Sequence, residues 1–418
     1  MLSNKTTLIA GLFGNALEWY DFILYANFAP LIALLFFPTK NPATSLLLTF
    51  AVFATGFLVR PLGAAVFGYI GDHLGRRIAL IISMSIITLP TFLIGFLPTY
   101  ASIGVAAPVL LTLLRLCQGI AVSGELNSAA TFLVEHAPDN KRGLAGCLVM
   151  GSAFFGMLFG ALMASTMTFT LTVENLHFWG WRIPFWLGGI LGIIGLVIRL
   201  RTEESPKFVK EVQEEEHVSI KQVFLFFRKE LILSILLTCV MAVGNYTLIA
   251  YVVSYLTKFQ GFSLNDANLI NLISLIFILI LFPMAGMLSD KFGRKPVFQA
   301  GLWGFVIFSF PVFWLLSQKQ FAYALVGDML LCVLIVPIAG LIPTLLVELF
   351  PARVRNSGTA LGYNISLAIF GGTTPMVALA LTHATGNNLA PAGYLMLCAI
   401  LSAIALYFIV ESHKEPLK

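Results

Sequence analysis

The sequence predicts an all-α integral membrane protein in which two six-helix bundles are related by pseudo-symmetry. Three observations point there. Hydrophobic residues make up 58% of the 418 residues and charged residues only 11%, whereas a soluble chain carries roughly a quarter charged residues. The apolar residues come in runs of about 20 or more, long enough to cross about 30 Å of hydrocarbon as helix. One short basic turn occurs twice.

Charged, proline and glycine breaks divide the chain into twelve apolar runs, each predicted to be one membrane-spanning helix. The predicted spans are 7–37, 46–71, 78–97, 103–136, 144–169, 183–201, 231–259, 266–289, 296–317, 320–349, 358–384 and 390–411. Several exceed the ~20 residues needed to cross, so we expect tilt, kinks or protruding ends. The first run contains Glu18 and Asp21, which the apolar region of a cleavable signal peptide would exclude.

The repeated turn marks the two halves of the chain as versions of one unit. Residues 71–77 read GDHLGRR, and 218 residues later residues 289–295 read SDKFGRK. A second landmark follows in the same order, because 135–142 and 348–355 share a first Glu, a fourth Pro and a last Arg. Duplicated halves are the plan of many secondary transporters.

One long polar segment separates the two halves. We predict an N-terminal six-helix bundle over 1–202, a cytoplasmic linker over 203–230 and a C-terminal six-helix bundle over 231–418. Five apolar linker residues approximate one helical face: Val218, Ile220, Val223, Phe224 and Phe227. Such a segment either lies along the membrane surface or forms a solvated linker helix.

Lysine and arginine concentrate in the loops on one side of the predicted membrane. The other side has only Lys40, Arg182, Lys258 and Lys319. By the positive-inside rule the basic side is cytoplasmic, and an even number of helices places both termini there. We expect a multi-pass protein of the bacterial inner-membrane type, a monomer within the lipid bilayer.

Composition argues against a metal, a cofactor, an enzyme active site or a nucleic-acid partner. All five cysteines lie inside apolar runs at no ligand spacing: Cys117, Cys147, Cys239, Cys332 and Cys398. The six histidines are scattered, and no metalloprotease, nucleophile-elbow or phosphate-loop motif is present. The net charge of +5 is spread over short loops. We therefore expect no metal and no cofactor.

Four segments carry a family resemblance. They are 14–22 (GNALEWYDF), 57–63 (FLVRPLG), 68–77 (GYIGDHLGRR) and 115–119 (RLCQG). With them the chain resembles the major facilitator superfamily and, within it, the metabolite:proton symporters of proline/betaine, 2-oxoglutarate, citrate and shikimate. Ser123 departs from the glycine that is typical of that family. The resemblance implies alternating access driven by a proton gradient, with helices 1 and 4 lining a central cavity.

Ionisable groups deep in a bilayer are energetically unfavourable and are therefore candidates for function. Six are predicted within the spans: Glu18, Asp21, Arg60, Arg115, Glu125 and Asp328. Our candidates for proton coupling are Glu18, Asp21 and Glu125. Burial raises the pKa of such a carboxyl group and a nearby arginine lowers it, so a rearrangement of the arginine can make the group bind or release a proton. The alternative is that some of these charges form fixed ion pairs between helices.

Polar and aromatic residues on the expected cavity faces are the candidates for substrate binding. They are Asn15, Glu18, Tyr25, Arg60, Arg115 and Gln118 in the first half, and Asn245, Tyr246 and Tyr251 in the second. Two arginines favour a substrate carboxylate, bound bidentately. Glu18 with Trp19, Tyr20 and Tyr25 can instead hold a quaternary ammonium through cation–π contacts. An organic acid and a zwitterion such as proline or betaine both remain open.

The repeated turn has a separate predicted role as a cytoplasmic gate. The residues assigned to it are Gly71, Asp72, Gly75, Arg76, Arg77, Asp290, Gly293 and Arg294. Asp72 and Asp290 end helices, where each can accept hydrogen bonds from a helix N-terminus or pair with an arginine. Breaking those contacts would favour opening toward the cytoplasm. The alternative role is simple anchoring of the basic loops at the membrane.

Overall fold

The computed structural model describes residues 5–205, 208, 220–413 and 415–417. This part of the chain is helical and contains no strand. Ten of its helices are long and apolar enough to cross a membrane, or eleven when the pair Leu8–Asn27 and Ala29–Phe36, bent by 66°, counts as one span. One more predicted span breaks into two helices of 17 and 14 residues, each shorter than a full crossing.

The first half contains six spans, numbered α1 to α6 and counted across their breaks. They are α1 (Lys5–Asn27 and Ala29–Phe36), α2 (Pro42–Leu58 and Arg60–His73), α3 (Arg76–Ile94), α4 (Ala106–His136), α5 (Arg142–Thr170) and α6 (Arg182–Leu200). The break in α2 falls at Val59, just before Pro61, whose ring cannot donate to the helical ladder. Short helical turns, Tyr100–Ile103, Asp139–Lys141 and Val173–Gly180, connect the spans.

The second half repeats this order with α7 to α12. They are α7 (Arg228–Tyr246, Thr247–Tyr251 and Val252–Gln260), α8 (Leu264–Phe292), α9 (Arg294–Leu316), α10 (Phe321–Ala339 and Ile342–Leu349), α11 (Arg355–Ser366, Leu367–Gly371 and Thr374–Thr385) and α12 (Ala390–Tyr407). The middle segments of α7 and α11 are single π-helical stretches. A short helix, Ile220–Phe226, precedes α7.

One predicted helix end and the predicted apolar face of the linker differ from the observed structure. Helix α12 ends at Tyr407 rather than at 411, and the segment after it folds back onto the protein. In the linker, Val223 is buried in a small cluster with Leu231 and Phe350, whereas Phe224 is exposed. Val218 and the acidic run at 214–216 lie outside the described residues, so the domain division stays a prediction.

The two halves meet at the end of the bundle that carries both basic turns, which we call the motif face. There α2 crosses α11, and α8 crosses α5, with almost no space between backbones. A Cβ on Gly68 would lie 2.7 Å from Cα of Ser357, and a Cβ on Gly286 would lie 2.7 Å from Cα of Leu144. These glycines are 218 residues apart, like the turns. Only glycine permits this close approach.

Replacing Gly68 by valine is expected to hold the motif face open, because the added side chain overlaps the α11 backbone. Ser128 is fully buried beside Asn356 at this seam, so a Ser128→Cys thiol, in a Cys117→Ser background, should react faster with a water-soluble maleimide in Gly68→Val. Gly151→Val is the matched control, since its Cβ would meet nothing closer than 3.6 Å. Equal reaction rates in all three proteins would contradict this packing.

Candidate functional site

Five predicted residues from α1, α2 and α4 line one small cavity in the first half. They are Glu18, Asp21, Arg60, Arg115 and Gln118, and the cavity volume is about 30 Å³. All five side chains are buried. A cavity needs about 10–15 Å³ to hold a water molecule, so this one must widen before a metabolite can enter.

Asp21 and Arg115 are held in a closed ring of hydrogen bonds within the first half. Arg115 Nη1 donates to Asp21 Oδ2 and to Gln118 Oε1, both at 2.8 Å. Gln118 Nε2 donates to Thr91 Oγ1 at 2.9 Å, and Thr91 Oγ1 donates to Asp21 Oδ1 at 3.1 Å. Within this ring of hydrogen bonds, the positive charge of Arg115 and the negative charge of Asp21 neutralise each other. Thr91 was not predicted, because a hydroxyl in an apolar run carries no distinctive signal.

Aromatic contacts fix the same arginine from its other side. The guanidinium of Arg115 lies 4.0 Å from the ring centroid of Tyr25, a cation–π distance. The Tyr25 hydroxyl donates to the carbonyl of Thr49 at 3.1 Å. Tyr25 therefore braces Arg115, and both are held by neighbours in their own half.

Glu18 has a different environment from Asp21. Its Oε2 is buried without a hydrogen-bond partner among the described residues. Arg60 is the positive group that interacts with it most strongly. The Arg60 guanidinium also lies 6.0 Å from the ring centroids of Trp19 and of Phe22. Glu18 and Arg60 are thus groups of opposite charge that line the same cavity.

The second half contributes aromatic and amide groups to a separate, smaller cavity. A cavity of about 10 Å³ lies between Trp19 of α1 and Asn245, Tyr246 and Tyr363 of α7 and α11. The phenols of Tyr246 and Tyr363 both interact electrostatically with Glu18 and Arg60. Trp19 Nε1 and Asn245 Oδ1 are buried and unpartnered in the described part of the chain. We call Glu18, Trp19, Arg60, Asn245, Tyr246 and Tyr363 the seam site.

Two predicted substrate-binding residues and one intramembrane charge lie outside the seam site. Asn15 donates to the Val149 carbonyl at 2.7 Å and joins α1 to α5. Tyr251 shares a hydrogen bond of 3.1 Å with Thr382 of α11. The sixth intramembrane charge, Asp328, is buried in α10 beside Ser274. Their predicted or possible roles in transport stay predictions, and the geometry gives the first two a helix-joining function.

Glu125 is enclosed in an ion pair with Arg199 and does not line either cavity, although both charges act on Glu18. Its carboxylate pairs with Arg199 of α6 through both oxygens and accepts from Ser83 at 2.5 Å. Arg199 also donates to the carbonyls of Ala10 and Leu80. This network joins α1, α3, α4 and α6. For Glu125 the geometry therefore favours the alternative stated above, a fixed ion pair between helices.

At the motif face, each repeated turn caps a helix of the opposite half. Asp72 accepts from the backbone N–H groups of Asn356 and Ser357, at 2.9 and 2.8 Å. Asp290 accepts from those of Gly143 and Leu144, at 2.8 and 2.9 Å. The first turns of α11 and α5 have free N–H groups and a positive partial charge. The two turns therefore join the halves symmetrically, in the geometry predicted for the gate.

Buried ion pairs reinforce both caps. Glu135, at the end of α4, binds Arg76 at 3.3 Å and Arg355 of the other half at 2.7 Å. Glu348, at the end of α10, likewise binds Arg294 at 3.3 Å and Arg142 of the first half at 3.4 Å. The second landmark of the repeat in the sequence, 135–142 and 348–355, thus supplies a pair of acid–arginine clusters that connect the two halves.

A third layer, absent from our predictions, follows α6 and α12. Glu204 accepts from the N–H of Arg77 at the start of α3, and Glu411 accepts from those of Arg294 and Lys295 at the start of α9. Burial raises the pKa of Glu411, but these backbone donors outweigh it and the pKa lies below its usual range. The available signal was a Glu-Ser pair repeated 207 residues apart, at 204–205 and 411–412.

The glycines of the turns are required by their backbone conformation. Gly75 and Gly293 have φ of 110° and 106°, which side chains rarely adopt. A Cβ on Gly293 would also lie 2.9 Å from a carboxylate oxygen of Glu411. Both predicted glycines therefore allow the chain to reverse between two helices. The first N–H groups of the helix that follows each glycine then face a carboxylate.

A model of the Major Facilitator Superfamily matches residues 11–366 and 235–418. The chain belongs to this superfamily. The proline/betaine transporter of Escherichia coli strain K12 is 33% identical over 425 residues, covering 99% of this chain and 85% of that protein. The glycine betaine/proline/ectoine/pipecolic acid transporter OusA of Dickeya dadantii is 34% identical over 425 residues, with the same coverage.

Solved structures of the superfamily agree with the fold. The proton:xylose symporter XylE bound to 6-bromo-6-deoxy-D-glucose matches with a TM-score of 0.81 at 18% identity, covering 99% of this chain and 97% of that one. A D-xylose-proton symporter matches with a TM-score of 0.68 at 20% identity, covering 99% of each chain. The chain is therefore a multi-pass membrane transporter with the two-bundle, twelve-helix fold, and not an enzyme.

Replacing Glu125 by glutamine is expected to destabilise this transporter by about 3–5 kcal/mol, because Arg199 would stay buried without its counter-charge. Thermal unfolding of the detergent-purified protein measures the change, with the exposed Glu174→Gln as control. An unchanged melting temperature together with lost proton coupling would contradict the structural role and would support the proton-coupling role predicted from the sequence.

Proposed function

We propose that the chain is a proton-coupled symporter that imports a small zwitterion of the proline or betaine type by alternating access. The supporting observation is that Glu18 and Arg60, one group of each charge, line one buried cavity and interact electrostatically with Tyr246 and Tyr363 of the second half. A zwitterion would place its carboxylate at Arg60 and its cationic nitrogen beside the Glu18 carboxyl group, which keeps an acceptor oxygen when it is protonated. The named substrates of the relatives belong to the same class.

The charge balance of the site favours a zwitterion over an organic diacid. Arg115 is neutralised by Asp21 and braced by Tyr25. Arg60 is the other arginine of the cavity, and it interacts electrostatically with Tyr246 and Tyr363 of the second half. A dicarboxylate would need two cations, whereas the seam site has one cation and one acid. In this proposal Arg60 binds the substrate carboxylate, and Arg115 maintains the fold of the first half.

Glu18 is the carboxyl group that we assign to the coupling proton. One of its oxygens has no partner in the described structure, whereas both oxygens of Asp21 are hydrogen-bonded. Protonation of Glu18 removes the attraction that holds Arg60, so the guanidinium becomes free to bind a substrate carboxylate. Proton and substrate would then bind together, and the proton gradient would supply the energy without a cofactor.

Alternating access requires the motif face to open while the opposite face closes. The capped helices and acid–arginine clusters hold the motif face shut in the present conformation. The basic residues gathered there support a cytoplasmic location for this face. We accordingly propose a bacterial inner-membrane protein with both termini in the cytoplasm that functions as a monomer.

Replacing Glu18 by glutamine should abolish uphill uptake while sparing substrate exchange, because the side chain keeps its size but can no longer release a proton. Radiolabelled proline uptake into proteoliposomes, driven by an imposed pH gradient, measures accumulation. Counterflow with internal unlabelled proline measures exchange. The exposed Glu174→Gln controls for the substitution itself.

Two results would overturn parts of this proposal. Undiminished uphill uptake by Glu18→Gln, with loss in Asp21→Asn, would move the proton to the Asp21–Arg115 ring. Binding of dicarboxylates but of no zwitterion would replace the proposed substrate class.

A further inference from the structure

The aromatic rings around the seam site are already occupied by arginines or by packing. Trp19 and Phe22 contact the Arg60 guanidinium, and Tyr25 contacts that of Arg115. Tyr20 stacks on Phe159, and its hydroxyl donates to the Pro184 carbonyl. The sequence offered Trp19, Tyr20 and Tyr25 for a quaternary ammonium. Tyr20 and Tyr25 are therefore engaged outside the seam site, and Trp19 lines its cavity.

The second half adds the rings of Tyr246 and Tyr363 to the cavity that Trp19 also lines. The ring of Tyr246 packs closely on α11, because a Cβ on Gly371 would lie 2.8 Å from its Cε2. Aromatic rings attract a cationic nitrogen whether or not it is methylated. The polar groups of the cavity therefore decide whether an N–H on that nitrogen is preferred.

One hydrogen-bonding side chain, the amide of Asn245, lines this cavity together with the rings. Asn245 Nδ2 donates to Met241 Sδ at 3.0 Å. A thioether sulfur can only accept, so this contact fixes the amide orientation and leaves Oδ1 as the amide's acceptor. Oδ1 is buried without a donor in the described residues, and so is Glu18 Oε2. A carboxyl group retains an acceptor oxygen whether or not it is protonated.

We propose that the seam site selects zwitterions that carry at least one N–H on their cationic nitrogen, and that Asn245 is the residue that recognises it. This inference rests on the proposed function and deepens it, because it separates amino and imino acids from fully methylated betaines. Trp19 Nε1, the unpartnered donor of the same cavity, suits the substrate carboxylate beside Arg60.

The expected discrimination follows from hydrogen bonding. An N–H on a cationic nitrogen makes a charge-assisted bond to Asn245 Oδ1. A quaternary nitrogen cannot donate, so it would bury the amide oxygen unsatisfied. Sites built to hydrogen-bond a substrate group reject analogues that lack it, and we expect binding to weaken by about tenfold to a hundredfold at the last methylation step.

Competition against radiolabelled proline tests this inference on the full-length protein in proteoliposomes. The competitors are two methylation series: glycine, sarcosine, N,N-dimethylglycine and glycine betaine, and proline, N-methylproline and N,N-dimethylproline. The inhibition constant should rise most at the quaternary member of each series. Methylation changes size at every step but removes the last N–H only at that step, so size alone would give a gradual trend.

Asn245 variants connect the effect to one residue. Asn245→Ala should raise the constants of the N–H-bearing ligands and leave the quaternary ones nearly unchanged, which flattens both series. Asn245→Asp keeps the shape and the acceptor, so it should retain or steepen the discrimination even if the alanine variant folds poorly. Asn271→Ala is the matched control, because Asn271 bonds to the Leu248 carbonyl outside the cavity.

The outcomes separate this inference from the proposed function. Equal inhibition constants across both series would overturn the inference and leave zwitterion transport intact. Discrimination against the quaternary ligands that persists in Asn245→Ala would do the same. If no member of either series competes and proline itself is not transported, the proposed function fails with it.

Discussion

Two aspartates that cap helices across the seam hold this conformation together. Each carboxylate accepts two backbone N–H groups from the first turn of a helix in the other half. Backbone donors cannot rotate away as a side chain can, so each cap requires α11 or α5 to dock in one register. Because Gly68 and Gly286 let the backbones approach, the caps close the motif face and thereby narrow the seam site.

The surrounding charges make the caps act together. Arg76 and Arg294 bind the capping aspartates, and Glu135 and Glu348 bind those arginines together with one arginine from the opposite half. Removing one partner would leave another charge buried, which is strongly destabilising. Opening therefore requires these contacts to separate jointly, which gives two discrete states. The charges of the seam site come from the first half and its tyrosines from the second, so ligand binding involves both.

Local patterns in the sequence were sufficient to predict the repeat and the helix-capping contacts of its two turns, whereas the gating role of these turns stays a prediction. Asp72 and Asp290 could be assigned because one motif recurs at a fixed offset and its carboxylate has a limited set of partners. Arg115 could not be separated from Arg60, because only tertiary packing shows that Arg115 pairs with Asp21 of α1 and that Thr91 of α3, an unremarkable residue in an apolar run, completes their ring. Tyr363 was missed for a similar reason: only tertiary packing places it beside Trp19. Helical periodicity reports a face of a helix but does not identify what that face meets.

Distance measurement across the motif face tests the central claim most directly. Spin labels on exposed Asn140 of the first half and exposed Arg353 of the second would report their separation by double electron–electron resonance. Combined Asp72→Asn and Asp290→Asn substitutions weaken both caps, so the distance distribution should shift toward longer values than in the labelled parent. Asp266→Asn, on an exposed acid at the start of α8, should leave it unchanged. An unshifted distribution in the double variant would contradict the account.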